Sequence, residues 1–444
     1  MENPEQLPVS LSPKWRLWYL AYIFSNMSGG LLTPMIPLFI SFYFHQGVVI
    51  VGIASSLSSL ASVVALILWG NISDNLKKRK IFVLIGFMGS FVSLFLIMFM
   101  GTVVGYIGIL VLYQFFAMAA VPVSTLLIIE NEHESRWAKT VSVFSAISTI
   151  GTVGGLALGL AIVINNPSSV FILKFIYILA SIIYLVAFIL SYFLLRESTT
   201  TVKRSSISAL FSIRNFERTR YAPSYVLHIV KLFGAKRNVK LGSQLLIYLI
   251  LCGVLMMGFQ IFFTPYPIFL IDKYNATEPI IYSMYLMNSA FSVVSFNMAS
   301  GYIKRMSLEN AIYIPLIIRS VVFAATGIIP FLGLYSFEYM IIVILVYGAM
   351  GFVWSFISIV QITKVTTMAH KSARGRAIGY YNSILGAGQI LGAFISGYFV
   401  SFYGYTGDFL LASAVLIISI VSIRLLKQRG VSTPITKSAV LAQK

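Results

Sequence analysis

Charge is scarce in this chain. Only 10% of its 444 residues are Asp, Glu, Lys or Arg, against about 25% in an ordinary soluble domain. So little charge cannot cover a water-facing surface, and 58% hydrophobic content excludes disorder equally well. The single cysteine, Cys252, excludes an intramolecular disulfide. His45, His133, His228 and His370 stand apart without metal-ligand spacing, so no metal or other cofactor is expected. The apolar runs hold no nucleophile with a base and no paired aspartates, which argues against an enzyme. The nearest string, Gly404-Tyr405-Thr406-Gly407-Asp408, sits at the edge of a run with no second Asp. No Asp, Glu, His or Lys falls at the middle of a run, so coupling to a proton gradient is open but has no relay to support it. Glu2-Asn3-Pro4-Glu5 is no basic secretory start, and the first apolar run is expected to stay on the chain.

Long apolar runs are what the chain has in abundance, with a mean hydropathy of +0.90. Twelve stretches reach the length of about 20 residues that a bilayer-spanning helix needs. They lie near 17–44, 48–69, 81–101, 106–129, 141–163, 171–195, 242–270, 281–303, 310–333, 339–362, 377–400 and 408–426. Continuous runs of this length exclude a β-barrel, whose strands alternate over about ten residues. The expectation is an all-α integral membrane protein. With the N-terminus inside, every Lys and Arg except Lys174, Lys273 and Arg319 falls on one side, 29 of 32. That is the positive-inside pattern, and it accounts for the net charge of +19 without nucleic acid. It places both termini in the cytoplasm, the protein in the cell membrane, and Asp272, Glu278, Glu338 and Asp408 outside. The basic stretch from Lys203 to Lys240 either rests on anionic lipid or is a solvated linker.

The long hydrophilic segment 196–241 divides the chain into a six-helix bundle over 1–195, a linker, a second bundle over 242–430 and a tail over 431–444. Matches between the bundles point to duplication. Thr33-Pro34-Met35-Ile36-Pro37 resembles Thr264-Pro265-Tyr266-Pro267. Gly70 corresponds to Gly301, and Arg136, Gly154 and Gly159 correspond to Arg374, Gly392 and Gly397.

Gly70-Asn71-Ile72-Ser73-Asp74-Asn75-Leu76-Lys77-Lys78-Arg79-Lys80, between the second and third spans, resembles the signature loop of the major facilitator superfamily. It departs at Asn75, where the family usually has Arg or Lys, and at Lys77, where it usually has Gly. With two sets of six spans the resemblance covers nearly the whole chain. It implies a secondary transporter, a monomer in the bilayer, that binds a small-molecule solute at mid-membrane and works by rocking its halves. It also implies a cytoplasmic gate in which Asp74, after Gly70, faces Gly375-Arg376, while Glu130 receives Arg79; the alternative is a solvated loop charge. Pro34, Pro37, Pro265 and Pro267 mark outer-gate kinks or static bends. Gly151, Gly155 and Gly159, with Gly388, Gly392 and Gly397, mark close helix packing more than an exporter motif, whose proline is missing.

In the superfamily, spans one, four, seven and ten line the cavity, with two, five, eight and eleven beside them. Asn26, Tyr113, Gln114, Gln260, Asn288, Trp354, Asn382 and Gln389 fall on these spans as substrate-cavity candidates, though any amide can instead join two helices. Arg319 lies in the ninth, peripheral span and is expected to snorkel toward a membrane face; the alternative is a substrate ligand. Asn275-Ala276-Thr277 is a glycosylation triplet that chance also produces. A neutral, aromatic cavity favours export of hydrophobic or amphipathic compounds, as in the drug-efflux-like branch. Uptake of a neutral polar metabolite or sugar is the alternative, and a non-transporting receptor or scaffold is the alternative of another class.

Overall fold

The computed structural model describes residues 17–76, 78–131, 137–165, 170–195, 243–305, 310–333, 336–369 and 374–428. Among them regular structure is helical throughout. The first apolar run forms α1 (Tyr19–Leu32), the short α2 (Met35–Leu38) and a π turn over Phe39–Tyr43. Then come α3 (Val48–Leu76), α4 (Lys80–Ile97), α5 (Val103–Asn131), α6 (Trp137–Asn165) and α7 (Val170–Leu194). After the linker come α8 (Ser243–Phe263), α9 (Tyr266–Tyr274), α10 (Glu278–Arg305), α11 (Tyr313–Phe331), α12 (Phe337–Met368) and α13 (Arg374–Gln428). Nine segments among the described residues are long and apolar enough to cross a membrane. Each of the twelve expected stretches falls on helix, the last two inside α13. There Gly404, at φ 69°, turns the chain between them. Only a residue without Cβ takes that backbone freely.

The packing repeats itself. In the first set α1 lies against α6 and α7, α3 against α5, and α4 against α5 and α7. In the second, α8 lies against both arms of α13, α10 against α12, and α11 against α12 and α13. The repeat is visible atom by atom at the α1/α6 and α8/α13 crossings. A side chain at Gly151 would run into the Ile23 carbonyl, and one at Gly155 into the Met27 carbonyl. Likewise Gly388 lies on the Gly253 carbonyl and Gly392 on the Met257 carbonyl. The spacing is 230 residues in one partner (23 to 253, 27 to 257) and 237 in the other (151 to 388, 155 to 392). Gly392 is therefore the counterpart of Gly155. Gly154, its expected counterpart, faces open space, with nothing within 4 Å of where a Cβ would stand.

The proline matches are real breaks. α1 ends at Thr33 and α8 at Thr264, and Pro34 and Pro265 open the next helix, accepting from Leu38 N and Phe269 N. Proline has no N–H to continue a ladder, so each break falls there. Pro37 and Pro267 lie within α2 and α9. The breaks are not identical: Thr33 N donates to Gly30 O three residues back, whereas Thr264 N donates to Gln260 O four back. That tighter turn explains why the Thr-Pro matches are 231 residues apart (33 to 264) while the glycine crossing just before them keeps 230.

Gly155→Leu or Gly392→Leu would drive two backbones apart, at about 1–3 kcal/mol or more. Thermal unfolding of detergent-purified protein should show a clear drop in Tm for both. Gly154→Ala should leave Tm unchanged or raise it slightly, because alanine is the better helix former and has room.

Candidate functional site

The two sets of helices meet along two seams, α3 with the first arm of α13 and α6 with α10, plus a contact between α2 and α9. In the first seam a Cβ on Gly52 would sit 2.7 Å from the Ala393 carbonyl and 2.9 Å from Gly397 Cα, so the helices touch backbone to backbone. Ser56 Oγ donates to Ile390 O at 3.0 Å, and Val63 Cγ2 fills the space above Gly386. In the second seam the Tyr282 ring occupies the space above Gly159, and its hydroxyl crosses to donate to Leu31 O at 2.7 Å. The seams are themselves a repeat: Gly52 and Tyr282 differ by 230, Gly159 and Gly397 by 238. The Gly52, Ser56 and Tyr282 contacts lie toward the end that carries Pro34 and Pro265, and the Val63–Gly386 contact lies at mid-helix. Tyr282 is fully buried, so a hydrogen bond lost there has no water to replace it.

The cavity candidates divide. Asn26 Nδ2 folds back onto Tyr22 O at 2.7 Å, and Gln260 Oε1 accepts from Thr264 Oγ1 at 3.4 Å. Gln114 Oε1 accepts from Ser62 Oγ at 3.4 Å, and Asn288 Nδ2 donates to Tyr347 O at 2.8 Å. Each of these amides keeps its other polar atom free of protein partners among the described residues: Asn26 Oδ1, Gln114 Nε2, Gln260 Nε2 and Asn288 Oδ1. Gln389 is half-buried and Asn382 exposed, on the arm of α13 that also forms the first seam. Tyr113 is not brought to them. It is buried between α5 and α7, its hydroxyl 3.2 Å from that of Tyr184.

Arg319 does not snorkel. Lipid-side neighbours on α11 are Ile314, Ile318, Val321 and Ile328, while Arg319 shares the opposite face with Leu316 and Phe323 and is only 2% exposed. Its guanidinium lies 4.4 Å from the Phe259 ring centre, 5.3 Å from Phe263 and 5.6 Å from Trp354, all on α8 and α12. Nη2 donates to Met350 O at 2.8 Å, and Nε and Nη1 have no partner among the described residues. Desolvated cation–π contacts of about 2 kcal/mol each offset part of the burial cost. Asp408 is a second correction. It is not an outer-loop acid but fully buried, accepting from Ser396 Oγ at 3.1 Å with Oδ1 unpartnered. Asp272 is exposed, as expected, and holds the Tyr405 hydroxyl at 2.6 Å.

Toward the other end, Arg79 is buried and donates through Nη1 to Ser73 O (2.9 Å) and Ser73 Oγ (2.7 Å). Gly70 is buried in α3. The side chains of Asp74, Glu130 and Arg376, and the surroundings of Gly375, lie outside the described residues. A cluster that sequence reasoning missed joins α8, α12 and α13: Tyr381 OH donates to buried Gln361, and Lys364 lies 4.9 Å over the Tyr248 ring. Lys364 reads as a span-end charge in the sequence, yet it is 8% exposed.

Comparison with known proteins identifies the family. The family model described as Major Facilitator Superfamily matches residues 18–371 and 355–441. The chain belongs to the Major Facilitator Superfamily. It is also similar in fold to a point mutant of the nucleoside transporter NupG (TM-score 0.72, 14% identity, covering 93% of this chain and 99% of that one). A POT family transporter in complex with a thioalcohol-conjugated peptide matches at TM-score 0.71 and 12% identity, over 94% and 96%. The human organic anion transporter MFSD10 matches at 0.61 and 14%, over 93% and 100%. No curated protein sequence matches the chain. At these identities the structural likenesses establish the fold alone.

In this superfamily member the Tyr282–Leu31 bond is a single hydrogen bond joining the two sets. Tyr282→Phe removes it and keeps the ring above Gly159, so opening of that seam should become easier by about 1 kcal/mol, roughly fivefold in population. Distance distributions between spin labels placed at the Pro34 and Pro265 ends would report the shift. Cys252 is buried, which favours labelling at introduced cysteines.

Proposed function

We propose that this protein is a secondary active transporter, not an enzyme, that moves a small solute by alternating access, and that it exports hydrophobic or amphipathic compounds. The observation that carries the reading is the pair of seams. Each joins the helix sets through glycine contacts and isolated hydrogen bonds from the uncharged side chains Ser56 and Tyr282. Such contacts separate without stranding charge in lipid. With both termini cytoplasmic, the proline end is the external one, and closure there leaves the solute path to the inside. The free amide atoms of Asn26, Gln114, Gln260 and Asn288 supply hydrogen bonds to a solute body, and Phe263 and Trp354 supply aromatic walls. Those same four amides favour the second reading, uptake of a neutral polar metabolite.

Proteoliposomes loaded with a panel of lipophilic dyes and, separately, with labelled sugars and nucleosides decide between the two, with and without a proton gradient. Export predicts protein-dependent dye movement, and accumulation of a sugar or nucleoside instead would overturn it. No protein-dependent movement of any solute would leave the receptor or scaffold class. Gln260→Leu is expected to raise KM about fivefold for solutes that carry a hydrogen-bond acceptor, from the loss of about 1 kcal/mol, and to spare solutes that carry none.

A further inference from the structure

Arg319 is a cation in an apolar bundle with no carboxylate beside it among the described residues. Its guanidinium has five N–H donors, of which one nitrogen, Nη2, is used by Met350 O, while Nε and Nη1 meet nothing among the described residues. Asp408 is equally buried in the same set, but it takes its hydrogen bond from Ser396, and no ion pair joins the two. Holding an uncompensated charge away from water is costly, and replacing it with an apolar residue of similar volume is often neutral or stabilising. A purely structural role therefore does not account for it.

The surroundings are built for a negative group. Besides the two idle guanidinium nitrogens, the Trp354 indole N–H has no partner among the described residues, and its ring lies 5.6 Å from the guanidinium. Gln260, beside Phe259 on α8, is turned instead to Gly392 on the first arm of α13 and does not belong to this group. The Met350 carbonyl is already engaged, and the buried Tyr347 hydroxyl is the further polar group that acts on the charge. Of the three rings around the charge, Phe259 is buried and Phe263 and Trp354 are half-buried. Cation–π contact with those rings keeps the guanidinium in place while it is unoccupied, and either ring can turn aside for a carboxylate or sulfonate.

We propose that Arg319, with the Trp354 indole N–H, is the receptor for one negative charge on the solute, so that the protein selects amphipathic monoanions over their neutral and cationic analogues. This rests on the transporter reading for the word solute and narrows its substrate class. A guanidinium accepts a carboxylate through charge-assisted hydrogen bonds, which are about twice as strong as neutral ones. The aromatic rings then pack on the apolar body of the molecule.

The test is binding to the full-length protein in nanodiscs of three matched probes: 2-naphthoate, 2-naphthamide and 2-naphthylmethylammonium. Wild-type protein should bind the naphthoate at least about tenfold more tightly than the amide, the range expected when hydrogen bonds to a charged group are made, and the ammonium most weakly. In Arg319→Gln the naphthoate-to-naphthamide ratio should fall to about one. Arg319→Lys should keep part of the preference, since it retains the charge without the planar fork. Trp354→Phe should reduce the ratio while leaving it above one. Equal binding of naphthoate and naphthamide to wild-type protein overturns the proposal, as does a preference that survives Arg319→Gln. If Arg319→Gln does not fold, an undiminished ratio in both Arg319→Lys and Trp354→Phe overturns it. A bound inorganic ion is separated by exchanging chloride for gluconate. Arg319-dependent stabilisation by chloride that naphthoate does not displace assigns the charge to a structural ion and overturns the solute role. Transport of a neutral solute in proteoliposomes without naphthoate preference would defeat this inference and leave the transporter reading standing. Arg319-dependent naphthoate binding without movement of any solute would do the reverse.

Discussion

Everything in this structure depends on how closely two helix backbones can approach in a solvent that does not push them together. Lipid tails are as apolar as Leu or Phe side chains, so burying those side chains between helices gains little over leaving them in the bilayer. What remains is van der Waals contact, and that is greatest where no Cβ intervenes. Gly151 and Gly155 let α6 settle on the carbonyls of α1, and Gly388 and Gly392 let the first arm of α13 settle on those of α8. The same device, used between the sets at Gly52, Gly159 and Gly397, makes the seams. Packing within a set and contact between sets are therefore one kind of interaction. The difference lies in the few hydrogen bonds added across a seam.

Hydroxyls show how the remaining polar groups are managed. Ser90, Thr149, Thr326 and Ser419 return to the carbonyl four residues back on their own helix, which satisfies them locally and commits them to nothing. Ser28 and Tyr22 instead reach carbonyls on neighbouring helices of their own set, Ala180 and Ala120. Ser56 and Tyr282 reach across the seams. Several groups that do neither, among them Arg319 Nε and Nη1, Gln361 Nε2, Tyr248 OH and Asp408 Oδ1, lie in the second set. Polarity left unspent among the described residues is thus concentrated on one side of the molecule.

The spans are legible in the sequence because bilayer thickness imposes a length on every helix, and the Thr-Pro breaks because proline cannot continue a hydrogen-bond ladder. Which glycines correspond is harder to read. Matching letters equates Gly154 with Gly392, whereas the carbonyl beneath each glycine equates Gly155 with Gly392. Identity of residue type is blind to which face of the helix a residue occupies. The same blindness misplaces Arg319: a peripheral helix does not decide the surroundings of each of its residues, and spacing by three and four along Leu316, Arg319, Phe323 and Thr326 puts it on the buried face. For the cavity amides the sequence locates the helices but not the partners. Tyr113 shares a helix with Gln114 and yet points to Tyr184.

Duplication supplies an internal control for that buried charge. Gly89 stands 230 residues before Arg319, and Phe116 stands 238 before Trp354, the same two spacings that relate the seams. In the first set the Phe116 ring lies directly on Gly89. In the second, the corresponding ring lies beside a guanidinium. One copy of the fold therefore closes this position with a glycine and an aromatic ring. The architecture does not require a cation there, and since an arginine in lipid is costly to keep, its presence in one copy alone points away from scaffolding. An asymmetric charge in a symmetric frame also gives the two sets different chemistry: only the second holds a buried guanidinium among aromatic rings, among the described residues.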